Sequence, residues 1–269
     1  EKEKANFLLI VGDGFARPLL DGLETSNRDL SSLLSILSGG AALSAHLKVE
    51  FHKYLPAVML VDGLGSSEAG GQLSQVATGD SSTTGSFPLA PQNHILSEDL
   101  SMELQAGHEG LGWLAKSGRL ALGYLNDEAK TKKTYPIVDG VRYVVPGDRA
   151  RLTADMFIEV HGRDSVTINS GGEKIFAEEV EAAVKAHPDV YDCVVTGRPS
   201  ERWGNEVVAV VRLKAGATTT EESLLGVAQN YIARFKLPKQ FVFVETIVRS
   251  PAGKADYRWA KQIAIDAAS

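Results

Sequence analysis

The sequence holds one cysteine, Cys193, in 269 residues, so no internal disulfide can staple it. Its six histidines are scattered, with no close pair beside a cysteine or carboxylate at ligand spacing, which excludes a structural zinc site. No stretch approaches the roughly 18 apolar residues that span a bilayer; the longest near the start is residues 7–11. Repeats and low-complexity tracts are absent. The net charge of −6 has the wrong sign for a dedicated nucleic-acid binder, which needs cations to displace counterions from phosphates. The opening Glu1, Lys2, Glu3, Lys4 resembles neither a signal nor a transit peptide and reads as the start of a piece cut from a longer chain. What remains is ordinary: 43% hydrophobic and 23% charged residues, the composition of a globular protein, expected in the cytoplasm. At about 150 residues per domain, the length fits one large or two modest domains.

The texture changes along the chain. Residues 7–11 and 58–61 read as short buried strands, each closed by a glycine-bearing turn, as in an open α/β layer. From about residue 87 to 163 short segments punctuated by Gly and Pro, among them 142–145 and 156–161, predict a β-rich, barrel-like subdomain. Beyond residue 165, Val180, Ala183, Val184 and His187 recur at helical spacing, followed by strand-like 190–195 and 207–213. Leu224, Leu225, Ala228, Tyr231, Ile232 and Phe235 predict a second helix, which Pro238 separates from a last strand at 241–244. The expected fold is α/β: a partial large domain over 1–163 made of a sheet layer and the β-rich part, a junction at 164–165, and a small α+β C-terminal domain over 166–269. Residues 231–269 carry seven Lys or Arg against three Asp or Glu, a basic segment able to face an anionic ligand.

Four features lead nowhere. The turn Gly12-Asp13-Gly14 follows a strand, but Arg17 stands where a dinucleotide-binding fingerprint needs its third glycine, so a plain turn into a helix is expected. Residues 78–86, TGDSSTTGS, are followed by no lysine and read as a polar loop. Residues 162–165 lack the second glycine of a phosphopantetheine attachment site. Cys193, inside an apolar run, reads as a core thiol.

Six segments occur in a fixed order: SGGAAL (38–43), GLGSSE (63–68), LGYLND (122–127), PGDRARL (146–152), GRDSVTINSGGEKIFAEEVE (162–181) and SPAGKADYR (250–258). Together they resemble the acyl-adenylate-forming superfamily, specifically its fatty-acid and acyl-CoA synthetases, and correspond to the later half of such an enzyme. The resemblance implies an acid–thiol ligase that uses ATP, Mg²⁺ and coenzyme A on a small-molecule carboxylic acid, with fatty or other bulky hydrophobic acids, steroid side chains included, as the substrate class.

It also implies roles. Lys254, after Gly253, bridges the substrate carboxylate and the α-phosphate. Glu68, a hard oxygen donor suited to Mg²⁺, is the metal ligand. Ser67 contacts phosphate where the family has threonine, the loop of Gly39 and Gly40 lies beside the adenine, although Leu64 replaces a common aromatic, and Ser38 and Gly65 belong to the cofactor-binding set. Asp148 takes the ribose hydroxyls and Arg163 the ribose or phosphate. Asp164 and Ser165 align with the hinge about which the C-terminal domain turns between two half-reactions. Gly171 and Gly172 line the passage for pantetheine.

The family's Ser/Thr/Gly-rich loop for the β- and γ-phosphates precedes SGGAAL, and no such loop is present upstream. A fragment is therefore expected, binding nucleotide weakly and turning over poorly. Two alternatives stand beside free CoA as acceptor: loading of a carrier protein, disfavoured because no carrier segment follows Ser269, and a noncatalytic nucleotide-binding module, disfavoured by the basic loop around Lys254.

Overall fold

The computed structural model describes residues 2–77 and 83–268; residues 78–82 of the polar loop lie outside them. Among the described residues no helix is long and apolar enough to cross a membrane. The chain begins with β1 (Phe7–Ile10), α1 (Gly12–Thr25), β2 (Ser35–Gly39), α2 (Ala45–Tyr54), β3 (Met59–Ser66) and β4 (Gly70–Ala77). β1, β2 and β3 are parallel neighbours and β4 runs antiparallel to β3. Ile10, Ile36 and Leu60 point to one face, where Ala16 and Leu20 of α1 and Leu47 and Phe51 of α2 cover them. Alternation sends Phe7, Leu9, Met59 and Val76 to the other face, where each is exposed.

The second sheet is built from β5 (Ser86–Pro88), β6 (Asn93–Leu96), β7 (Gly112–Lys116), β10 (Asp148–Leu152) and β11 (Phe157–Arg163), in the order β5-β11-β10-β7-β6. Between β7 and β10 lie α3 (Glu128–Thr134) and the hairpin of β8 (Ile137–Val138) with β9 (Val141–Arg142). β5 and β6 are the two ends of this sheet and among the described residues do not pair with each other, so the expected barrel-like part is an open antiparallel sheet. Leu73 of β4 joins the core of Phe87, Ile95, Leu114, Ala150 and Ile158, which ties the first two sheets together.

After one 3₁₀ turn at Asp164–Val166, in which Asp164 and Ser165 are exposed, come β12 (Thr167–Ser170), β13 (Glu173–Phe176), α4 (Ala177–Lys185), β14 (Val190–Ser200), β15 (Gly204–Leu213), α5 (Glu221–Ala228), β16 (Gln240–Phe243) and α6 (Tyr257–Asp266). β14, β15 and β16 form a sheet of their own. Cys193, Val195, Ala209 and Val211 face α4 and α5, while Val194 and Val210 face Ala260 of α6. Burial on both faces explains the unbroken apolar runs in the sequence.

The second predicted helix is shorter than its apolar spacing indicates. α5 stops at Ala228, and a turn follows in which Tyr231 N and Ile232 N both donate to Ala228 O. Asn230 Nδ2 reaches back 3.1 Å to Gly226 O, the local competition that disfavours Asn in helices. Ile232 still reaches the core through that turn, whereas Tyr231 and Phe235 face solvent.

Candidate functional site

Parallel β2 and β3 end side by side, with Gly39 opposite Gly63, and the carboxyl ends of parallel strands are where open α/β sheets receive ligands. Ser38 is fully buried, its Oγ accepting from Gly12 N at 3.2 Å, so it ties the start of α1 to this loop. Gly40 has φ +82°, and a Cβ there would stand 3.6 Å from Lys254 Cε and 3.8 Å from Val11 Cγ1. The lysine therefore comes from the far end of the chain to lie over this loop. It is exposed, on a turn closed by Ser250 N donating to Lys254 O (2.8 Å) and Lys254 N to Ser250 Oγ (3.2 Å). Gly253, at φ +77°, lies against Phe15 of α1 so closely that a Cβ would be 2.4 Å from the ring. Arg249 at the base of the turn is held by both oxygens of Asp192.

A second cluster sits beside β3. Gly65 falls at a bulge, and a Cβ there would strike Gly70 O at 2.4 Å, so this tight return of the chain admits only glycine. Ser67 beyond it is exposed. Glu68 Oε1 accepts from Tyr124 O–H at 2.7 Å. That bond, helped by Arg163 nearby, holds the Glu68 carboxyl below the usual glutamate range. Asp148 and Arg163 are register partners across β10 and β11, and Arg163 Nε donates to Asp148 Oδ1 at 3.2 Å. Burial pushes the Asp148 carboxyl up, against the pull of Arg163 and with the charge of Glu68 adding to the rise. Among the described residues no three candidate ligands group around a metal position. One ionised carboxylate is nonetheless what Mg²⁺ takes when phosphates supply the remaining oxygens, and Glu68 fits that description.

The glycines of the β12–β13 turn stand apart from both clusters. Gly171 (φ +59°) packs on Trp203, its N–H donating to Trp203 O at 2.9 Å, and Gly172 (φ +89°) has open space where a Cβ would be. Lys174 next to them pairs with Glu98. Asp164 and Ser165 are exposed, with Asp164 N donating to Gly147 O at 3.0 Å.

Three residues that the motifs left without a role belong to this frame. Tyr124 lies inside LGYLND, where only its hydroxyl's reach to Glu68 reveals it. Asp13, in the turn read as plain, is buried and accepts from Ser44 N (2.7 Å), Ser44 Oγ (2.5 Å) and Lys185 Nζ (2.7 Å). Lys185 follows Glu181 by four positions on α4, the spacing of a solvated helix pair, yet both side chains are buried.

Residues 179–254 match the AMP-binding enzyme C-terminal domain. A medium-chain acyl-CoA ligase of Mycobacterium avium is 53% identical over 99% of this chain and 48% of its own length. A medium/long-chain-fatty-acid–CoA/3-oxocholest-4-en-26-oate–CoA ligase of Mycolicibacterium smegmatis is 45% identical over 97% of this chain and 48% of its own. The chain thus spans about half the length of these relatives. The ATP-bound crystal structure of MatB from Rhodopseudomonas palustris superposes with a TM-score of 0.82 at 24% identity, over 99% of this chain and 52% of that one. An anthranilate CoA ligase in complex with anthranoyl-AMP gives 0.81 at 22% identity, over 99% of this chain and 51% of that one. These two likenesses show the fold.

Proposed function

We propose, for a chain that carries the C-terminal domain of AMP-binding enzymes and is homologous to fatty-acid CoA ligases, that it supplies the later half of an acyl-CoA synthetase. The observation that carries this reading is Lys254 lying over Gly40. In the first half-reaction a carboxylate oxygen attacks the α-phosphorus of ATP, the bond to pyrophosphate breaks, and acyl-AMP forms. Charge builds on the phosphoryl oxygens, and an ammonium already placed there lowers the barrier without reorganising. The Lys254 ammonium fills that role between the carboxylate and the α-phosphate. Gly39 and Gly40 present bare backbone to the adenine, with Ser38 fixing the loop from behind, and Gly65 sets the turn that leads to Ser67 at the phosphates. Asp148 accepts from the ribose hydroxyls, and Arg163 neutralises it and contacts ribose or phosphate. Glu68 would hold Mg²⁺, which supplies charge neutralisation at the phosphates when bound.

In the second half-reaction the CoA sulfur attacks the acyl carbonyl and AMP leaves with the electron pair of the broken C–O bond. Of the groups needed for this step, Gly171 now lies against Trp203 and Gly172 beside it faces open space. We assign residues 1–163 to the large domain, 164–165 to the pivot and 166–269 to the moving unit, whose turn would exchange Lys254 for the glycine passage. The acids named for the relatives, medium- and long-chain fatty acids and a cholestenoate side chain, set the proposed substrate class. ATP and CoA as cosubstrates favour a reaction in the cytoplasm.

ATP–pyrophosphate exchange over a panel of acids, run on the full-length gene product, tests the reading. Exchange that depends on a fatty or steroid-side-chain acid, followed by thioester formation with CoA, supports it. Nucleotide binding without exchange for any acid contradicts it and leaves the noncatalytic module.

A further inference from the structure

The position of Lys254 depends on how the part of the chain after residue 165 rests on α1, and one contact there differs in kind from the rest. Lys185 of α4 and Asp13 of α1, 172 residues apart, form a buried ion pair at 2.7 Å. The remaining capacity of Asp13 is taken by Ser44 N and Ser44 Oγ at the N-terminus of α2. Asp13 N itself donates to Ala42 O (3.2 Å), and Gly12 N to Ser38 Oγ. Asp13 and its neighbour Gly12 are therefore bonded to both ends of the 38–44 loop that carries Gly40, and Lys185 grips the Asp13 carboxylate from the other side. Tyr191 O–H donating to Asp21 at 2.9 Å is a weaker, less buried tie along the same junction.

A buried ion pair is costly to break when one charge stays buried alone, but separating the two bodies hydrates both charges at once. Such a pair favours one docked arrangement and still releases it. We propose that Lys185 is a positioning residue for adenylation: its pair with Asp13 latches the C-terminal unit in the arrangement that seats Lys254 at Gly40, and opens when the unit turns. This rests on the two-step reading above for its catalytic consequence, while the latch itself is a statement about docking.

The test uses the full-length gene product with Lys185→Met and Asp13→Asn, the latter keeping an acceptor for Ser44. Each single variant leaves one charge buried in the docked state without its counter-ion across the junction, so ATP–pyrophosphate exchange should fall at least about tenfold. Thioester formation from preformed acyl-adenylate and CoA should stay at the wild-type rate. The double variant, with neither charge, should lose no more than either single one. Unchanged exchange in the singles, equal loss of both half-reactions, or losses that multiply in the double variant would each overturn the latch.

A readout independent of activity is the distance between spin labels on cysteines introduced by Asn27→Cys and Asn230→Cys, both exposed positions, with the native Cys193 fully buried. One narrow distance should broaden and shift in Lys185→Met. An unchanged distribution overturns the latch whatever the enzyme activates. A shifted distribution in a chain that exchanges pyrophosphate with no acid upholds the latch and defeats the proposed reaction.

Discussion

Lys254 and Gly40 meet across 214 positions of sequence, the lysine Cε 3.6 Å from where a Cβ on the glycine would stand. That is ordinary van der Waals contact, so the aliphatic stem of the lysine rests on the glycine while its ammonium stays in water. Gly40 also sits at φ +82°, which costs an L-residue about 1–2 kcal/mol. Gly40→Val should therefore displace the lysine as well as strain the loop. Adenylation, read as ATP–pyrophosphate exchange, should drop about tenfold or more, with thioester formation from added acyl-adenylate much less affected.

On the proposed reading of Glu68 as the Mg²⁺ ligand, Tyr124 would act on the metal through it. Its hydroxyl holds the Glu68 carboxyl below the usual range, so Tyr124→Phe should raise the Glu68 pKa and move the acid limb of the exchange reaction to higher pH. If Glu68 holds Mg²⁺ as proposed, the substitution should also change the Mg²⁺ concentration for half-maximal exchange by about ten- to a hundredfold. A pH–rate profile and a Mg²⁺ titration of the variant check both. An acid limb that stays put would remove Tyr124 from the site.

Much of this arrangement is legible in the amino-acid sequence. Residues 7–11 and 58–61 become β1 and β3 because short apolar runs closed by glycine turns have little other use, and Cys193 is buried as its surroundings require. Two kinds of feature escape. Spacing overextends α5 to Phe235, because Ile232 enters the core from a turn and mimics helical periodicity. Partnerships between distant segments escape altogether: nothing near Asp13 points to Lys185, and the Glu181–Lys185 spacing reads as a surface pair, whereas α4 is pressed between α1 and β14. The motif residues themselves fall into two groups. Lys254, Gly39 and Gly40 come together, as do Glu68, Asp148 and Arg163, while Gly171 packs on Trp203 instead.

The proposed contact of Asp148 with the ribose is testable with the nucleotide itself. A hydrogen bond to a charged acceptor contributes about 1.5–3 kcal/mol, so 2′-deoxy-ATP should bind the wild type about ten- to a hundredfold more weakly than ATP. In Asp148→Ala the two nucleotides should bind alike. A penalty that survives the substitution, measured by titration calorimetry, would assign the ribose to another residue.

Glu181 links stability to pH. Burial pushes its carboxyl up to about 8, although Lys185 is close and Val195 N donates to it. The folded form keeps this proton over a range in which the unfolded chain, at the ordinary glutamate value, has lost it. Stability contributed at low pH is thus lost as the pH rises from the ordinary glutamate range to about 8. Glu181→Gln cannot titrate, so its stability relative to wild type should rise by on the order of 3 kcal/mol between about pH 5 and pH 8. Urea unfolding of both proteins at several pH values gives the comparison, and parallel curves would mean that Glu181 is ionised in the fold.

The most direct measurement separates the two half-reactions in Lys254→Ala of the full-length protein. With the ammonium gone and the rest of the junction intact, ATP–pyrophosphate exchange should fall below detection, while synthetic acyl-adenylate and CoA still yield acyl-CoA at close to the wild-type rate. Equal loss of both steps, or exchange that persists, would contradict the placement of Lys254 over Gly40 as the basis of acid activation.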